Sequence, residues 1–291
     1  MSHLVRIAIS GGGLAGASLF HALLNYNHLD VHIFESAASF KEAGATIGVA
    51  CNALAALDLI GPSTAQCFKR AGAFPLRGVR FMLAQGEGQG QMIGEADDMA
   101  GGKRVTSIVH RAAYLRELLA DVPQERMHAS QKLDIIDWKR NGSTTLYFTD
   151  GTTHECDILV GDDGIYSSGQ LVQFVIASYE KDAEGSDRWH QSVSAGGIKR
   201  LYQHGPPRLN KAANELLCAK LEQTAKYLWE QPQTRSYISG PICIIGDAAH
   251  ATTAWQGSGS TVSIEDSPNI PTLLGHAKTP AKAVTAVKVY D

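Results

Sequence analysis

A chain of 291 residues, 44% hydrophobic and 19% charged, carries enough apolar surface for one large or two ordinary globular domains. A formal net charge of −3 and a pI near 6.4 leave no basic footprint, which argues against nucleic acid as a partner. No stretch approaches the roughly 20 apolar residues of a spanning helix, and the first apolar run starts within a few residues and ends in glycines. The expectation is a soluble cytoplasmic protein with no leader segment and no membrane span.

Leu4–Ser10 (LVRIAIS) reads as a buried strand, Gly11–Gly16 as a tight turn and Leu14–Asn25 as a helix with apolar spacing. Val31–Glu35 (VHIFE) is a second strand, so the chain opens with a βαβ unit. Asn52–Ile60 reads as a short helix stopped by Gly61-Pro62. Val79–Ala84 and Gln91–Ile93 flank Gly86-x-Gly88-x-Gly90 like the arms of a hairpin; that glycine spacing is wrong for a second nucleotide turn. Ala112–Ala120 is helical, and strands follow around Lys132–Trp138 and Thr144–Thr149, with Asp150-Gly151 as a turn signal. Asp157–Val160 is a buried strand closed by Gly161-Asp162-Asp163-Gly164. Beyond Gln170 the pattern loosens into the apolar run LVQFVIA, polar stretches and a helix near Lys211–Trp229. Ile242–Ile245 returns to a buried strand, followed by a glycine-rich turn and a helix.

Five scattered cysteines (Cys51, Cys67, Cys156, Cys218, Cys243) show neither the spacing of a metal site nor that of a redox dithiol; they are expected to be buried, reduced thiols, and no metal is implied.

Gly11-x-Gly13-x-x-Gly16 lies directly after a strand and opens a helix. In such a turn the first glycine permits the tight bend, the second lets backbone approach a pyrophosphate, and the third packs helix on strand. The helix N-terminus then presents free N–H groups and the positive end of its dipole to phosphates. Glu35, ending the second strand, is placed to accept bonds from an adenosine ribose, and its charge disfavours a 2′-phosphate. These features leave NAD and FAD open. Gly246-Asp247 at the end of a late strand, followed by Gln256-Gly257-Ser258-Gly259, favours FAD: a carboxylate there suits a ribityl hydroxyl, and a helix start suits the pyrimidine edge of a flavin. His250 reads as a satisfied core histidine, and Trp255 as either a pocket wall or a packing aromatic.

Four segments together resemble the flavin-dependent aromatic hydroxylases, the group of salicylate hydroxylase and para-hydroxybenzoate hydroxylase. GDAAHATTAWQGSGSTVSIEDS is similar to that family's GD motif, FTDGTTHECDILVGDDGIYSS to its DG motif and VHRAAYLRELL to its arginine-bearing helix start. GATIGVACNALAALDLIG resembles the loop and helix after its acidic strand end. The resemblance implies an α/β chain with a Rossmann-type FAD-binding domain of the glutathione reductase-like ββα variant and a reduced β-sheet substrate domain. Its parts would be residues 1–72, 101–169 and 235–291 for FAD, with 73–100 and 170–234 forming the substrate domain. It implies cofactor contacts from Gly11, Gly13, Gly16, Glu35, Gly48, Arg111, Asp163, Asp247 and Ser260. Arg111 and Asp247 would lie on the phosphate–ribityl chain, and Ser260 near the isoalloxazine. It further implies NAD(P)H as co-substrate, with molecular oxygen and a phenolic or polyketide-like aromatic as the other reactants, as in secondary metabolism. It assigns no catalytic base.

Three departures stand out. The interval from Asp163 to Asp247 is shorter than in similar hydroxylases, the sequence stops before the helices with which relatives continue, and Pro268 and Pro271 lie where a helix should run on. A proline inside a helix costs about 3 kcal/mol, so that helix is expected to break. A truncated substrate domain would admit water to the oxygen-activating site and favour uncoupled NAD(P)H oxidation, or leave an FAD-binding remnant.

Overall fold

A computed structural model of the chain describes residues 4–41, 46–76, 78–83, 87–96, 106–139, 143–162, 190–203, 207–227, 234–252 and 258–290. It divides into two compact units: Met1–Pro75 with Thr106–Val172 and Glu230–Asp291, and Leu76–Val105 with Gln173–Trp229.

The first unit begins with β1 (Val5–Ser10), α1 (Leu14–Leu23), β2 (Leu29–Phe34) and β3 (Thr46–Val49). Then come α2 (Cys51–Ile60), α3 (Pro62–Arg70) and the two-residue β4 (Phe74–Pro75). Gly61-Pro62 does more than stop α2: Gly61 at φ +144° turns the chain and Pro62 occupies the first turn of α3, where its missing N–H costs nothing. In the second unit β5 (Val79–Met82) and β6 (Met92–Ala96) form an antiparallel hairpin.

The first unit resumes with β7 (Ser107–His110), α4 (Arg111–Ala120), β8 (Met127–His128), β9 (Leu133–Trp138), β10 (Thr144–Phe148), β11 (Thr153–Cys156) and β12 (Ile158–Gly161). The second unit adds β13 (His190–Ser194), α5 (Ala195–Tyr202), α6 (Pro207–Ala212), a π-helical turn at Ala213–Leu217 and β14 (Glu222–Lys226). β14 pairs antiparallel with β13, so the single helix expected near Lys211–Trp229 is a short helix followed by a strand. The apolar run LVQFVIA lies outside the described residues. The first unit closes with β15 (Ile238–Ser239), β16 (Ile242–Ile244), α7 (Asp247–His250), α8 (Gly259–Leu274) and α9 (Pro280–Val287).

A six-stranded sheet in the order β15-β16-β12-β1-β2-β8 carries the first unit. From β16 to β8 the neighbours run parallel, with Ile9 opposite both Val160 and Ile33. Parallel strands are covered on both faces, which is why the sequence shows unbroken apolar runs here rather than alternation. Val5, Ile7, Ile9, Val31, Ile33, Ile158 and Val160 face a core built with residues of α1, α2, α4, α8 and α9. Ala8, Phe34 and Leu159 face the other way, onto Leu146, Phe148 and Cys156 of the three-stranded sheet β11-β10-β9. This is a Rossmann-type α/β layer arrangement.

α8 runs through both prolines without breaking, contrary to expectation. Its buried stripe of Thr261, Ile264, Ser267, Ile270 and Leu274 packs into the main core, and that tertiary burial outweighs the lost N–H donors. The cysteines are free: Cys67, Cys156 and Cys243 are buried as expected, Cys218 is half-buried, and Cys51 is exposed at the start of α2. Burial pushes the Cys156 and Cys243 thiols up to about 12, so both stay protonated. No helix among the described residues is long and apolar enough to cross a membrane.

Candidate functional site

The carboxyl ends of β2, β1, β12 and β16 lie side by side, and each is followed by a segment singled out above or by a new carboxylate. In open parallel sheets this edge is where ligands bind.

After β1, Gly11 adopts φ +117°, and a Cβ there would overlap the carbonyl oxygen of Asp162. A Cβ on Gly16 would overlap the Gly11 carbonyl. At Gly12 it would sit 2.6 Å from the Phe40 ring and 2.8 Å from Glu35 Oε2. The turn is therefore closed against β12 on one side and Glu35 on the other, and only glycine fits. Gly13 is the N-cap of α1 and supplies no side-chain cap.

After β2, Glu35 is half-buried at the mouth of this turn. Its Oε2 accepts from the Gly12 N–H at 2.8 Å; its Oε1 accepts from the Ala37 N–H at 2.7 Å and the Ser36 hydroxyl at 3.1 Å. The Glu35 backbone is clamped as well, donating to the His128 carbonyl and accepting from the Gln131 N–H, both at 2.8 Å.

After β16, Gly246 turns at φ +58° into Asp247, the first residue of α7. A Cβ on Gly246 would lie 2.9 Å from both Ala15 Cβ and Asp162 Oδ1. The two distant glycine turns therefore touch. Asp247 Oδ1 stands 3.8 Å from where a Cβ on Gly259 would be, so it faces the start of α8. Ser260 is in the first turn of α8, whose N-cap Ser258 makes no side-chain cap bond.

β3 and β7 bring two more expected residues into this unit. Gly48 pairs with Ile108, and two positions along the same ladder the pair Thr46–His110 leads directly into Arg111 at the head of α4. The Ala50 N–H donates to Thr261 Oγ1 at 3.3 Å, tying the end of β3 to the first turn of α8 beside Ser260. Asp163 lies outside the described residues.

Two buried carboxylates were not anticipated. Asp162, 6% exposed, accepts from the Gly16 N–H through Oδ2 at 2.7 Å. Its signal is positional: it ends a strand beside β1 as Glu35 does on the opposite side. Asp266 of α8, 8% exposed, accepts from the Gly246 N–H at 2.8 Å and holds His250 Nε2 at 2.9 Å. A charge on the buried stripe of an otherwise apolar helix is the sequence signal for it. The bond to Asp266 holds the His250 imidazole above its usual range; His250 is a satisfied, positioned histidine.

A family model described as an FAD binding domain matches residues 198–285. The chain is 30% identical to the 6-methylsalicylate 1-monooxygenase of Aspergillus terreus, over 100% of this chain and 79% of that protein. It is 26% identical to a salicylate hydroxylase of Pseudomonas putida, over 94% of the chain and 78% of the relative. Among solved structures, Klebsiella pneumoniae HpxO complexed with FAD and uric acid shares the fold with a TM-score of 0.75 at 16% identity, covering 100% of this chain and 84% of that one.

The chain belongs to the salicylate hydroxylase family of FAD-dependent monooxygenases. Its cofactor is FAD, and the residues at the sheet edge fit that molecule. As a salicylate hydroxylase relative it offers two helix starts without side-chain caps, a turn that opens with three glycines, and a carboxylate at each end of the edge. The alignment to the 6-methylsalicylate enzyme spans 356 residues against a chain of 291, so that relative carries dozens of residues with no counterpart here. Among the described residues no group of three or more His, Cys, Asp or Glu side chains is arranged to hold a metal ion.

Proposed function

We propose that this chain is an FAD-dependent monooxygenase that uses NAD(P)H and oxygen to hydroxylate a small salicylate-like phenolic or polyketide-like aromatic. The observation that carries the reading is the convergence of the Gly11–Gly16 turn and the Gly246-Asp247 turn on one sheet edge, so close that a Cβ on Gly246 would come within 2.9 Å of Ala15 Cβ. Bound FAD supplies the redox chemistry, accepting electrons from the nicotinamide and delivering them to oxygen.

The residues divide the binding work. Gly11, Gly13 and Gly16 leave room for the pyrophosphate at the head of α1, and Glu35 takes the adenosine ribose hydroxyls. Gly48 lies beside the cofactor, Arg111 neutralises phosphate charge, and Asp247 holds a ribityl hydroxyl. The first turn of α8, with Ser260, aims N–H groups at the flavin ring, where negative charge gathers on reduction. Asp163 is kept as a cofactor residue on its sequence motif alone. The three-part unit is the one assigned to FAD, and the unit of Leu76–Val105 and Gln173–Trp229 corresponds to the substrate domain expected from the sequence.

The names of the relatives support the substrate class, and the parallel edge supports the cofactor. The test has two stages. Asp247→Ala should lose bound flavin while keeping the fold by circular dichroism; a variant that held FAD as tightly as the parent would remove Asp247 from the site. Then NAD(P)H consumption is measured with salicylate or 6-methylsalicylate, scoring hydroxylated product against hydrogen peroxide. The shortfall against the 356-residue alignment favours one second reading, an uncoupled NAD(P)H oxidase, in which peroxide appears and product does not.

A further inference from the structure

The most unusual group at this edge is Asp162, because it puts a fixed negative charge where the fold gathers positive potential. The N–H groups in the first turn of α1 have no intrahelical partner and draw anions. One of them, Gly16 N–H, already ends on Asp162 Oδ2 at 2.7 Å, in a buried pair. A second donor of the turn, Gly12 N–H, ends on Glu35.

The two carboxylates differ in freedom. Glu35 is half-exposed and spreads its two oxygens over three donors, so it can accept a ribose hydroxyl by small rotation. Asp162 is 6% exposed and held through its backbone: its N–H donates to the Ser10 carbonyl at 2.6 Å, and its own carbonyl abuts Gly11. Gly246 closes the far side, within 2.9 Å of Oδ1 if it carried a Cβ. The main chain of Asp162 is therefore fixed, and the Gly16 N–H holds its carboxylate at the turn.

A carboxylate at a helix N-terminus stabilises that helix through the macrodipole. The same charge repels a second anion brought to the same donors, more strongly in a dehydrated setting than in water. We propose that Asp162 is a built-in anion that keeps the glycine turn formed in the cofactor-free chain and lowers its affinity for the FAD pyrophosphate, making FAD an exchangeable rather than a locked cofactor. This rests on the FAD reading above and adds to it the residue that sets cofactor affinity.

Asp162→Asn isolates the charge, since the amide oxygen still accepts from Gly16; Asp162→Ala serves as the second variant. Each cofactor-free protein is titrated with FAD by flavin fluorescence quenching, and with ADP and riboflavin by calorimetry. Thermal unfolding without ligand is recorded in parallel. The Asn variant should bind FAD at least tenfold more tightly and ADP by a similar factor, with riboflavin unchanged and a lower ligand-free melting midpoint. Lower melting with FAD affinity unchanged or weakened would make Asp162 purely structural and overturn the proposal. So would an equal gain for riboflavin, which has no pyrophosphate. If the parent binds FAD and the variants gain nothing, this inference alone fails. If neither parent nor variants bind FAD or ADP, the cofactor assignment fails and takes it down as well.

Discussion

Gly246 shows how much one residue can carry. Its φ of +58° is unfavourable for other residues, and a Cβ there would lie 2.9 Å from Ala15 Cβ and Asp162 Oδ1, which leaves no room for a side chain. Gly246→Ala should cost about 2–4 kcal/mol, from left-handed strain together with overpacking, and an unfolding free energy from urea titration within about 0.5 kcal/mol of the parent would show that the turn is not closed. The position was readable as a strand-end glycine, but not the reason for it, because the opposing atoms come from residues far away in sequence.

The same limit applies to the histidines. His32, His128 and His154 read as scattered residues, yet they cluster around Phe34, with His32 stacked on His128 at a centroid distance of 5.2 Å and tilted against His154 at 5.0 Å. Burial first, then the neighbouring imidazoles, brings His154 down to about 4, with Asp30 opposing and Arg6 adding to the effect; His128 is lowered for the same reasons. A histidine depressed in the folded state resists protonation there while the unfolded chain accepts it. The stability it permits is whole above the usual value near 6.5 and is lost as pH falls toward 4. His154→Gln should therefore narrow the stability loss between pH 7 and pH 4.5 by on the order of 2 kcal/mol, measured by urea unfolding at both pH values. Equal losses in parent and variant would exclude His154 as a source of acid sensitivity.

At the scale of elements, β1, α1, β2, α2, α4, β12 and β16 were legible within a few residues, because each is a continuous apolar or helically spaced run bounded by glycine, proline or acid. Two misreadings have physical causes. The stretch near Lys211–Trp229 has polar composition without a decisive period, and pairing with β13 makes Glu222–Lys226 a strand. α8 contains two prolines, yet its buried stripe keeps it helical as far as Leu274. If packing rather than propensity holds that helix, Pro268→Ala should raise stability by about 1–3 kcal/mol through the restored N–H donor. A destabilised variant would mean that the proline's shape is part of the packing. Asp266 belongs to this scale too. From the buried face of α8 it reaches the Gly246 turn and His250, which is how a helix sets the geometry of a loop.

At the scale of the whole molecule, the fold class and the cofactor edge were accessible from the sequence because Rossmann-type packing ties them to glycine spacing and strand-end acids. The substrate side was not, since no spacing rule marks an aromatic pocket. Ligand linkage then makes a regional prediction: FAD at 100 times its Kd should add about 2.7 kcal/mol of stability. Hydrogen-exchange protection should rise in β1, α1, β12 and the start of α8, while β13 and β14 stay unchanged. Protection gained only in the second unit would move the binding site away from the sheet edge.

The most direct measurement is a crystal structure of this chain with FAD added. The cofactor should lie along the carboxyl edge, its adenosine ribose on Glu35, its pyrophosphate over the Gly11–Gly16 turn and its ribityl chain on Asp247. Cofactor density elsewhere, or an Asp247 carboxylate without contact to it, would contradict a single site built from the two turns.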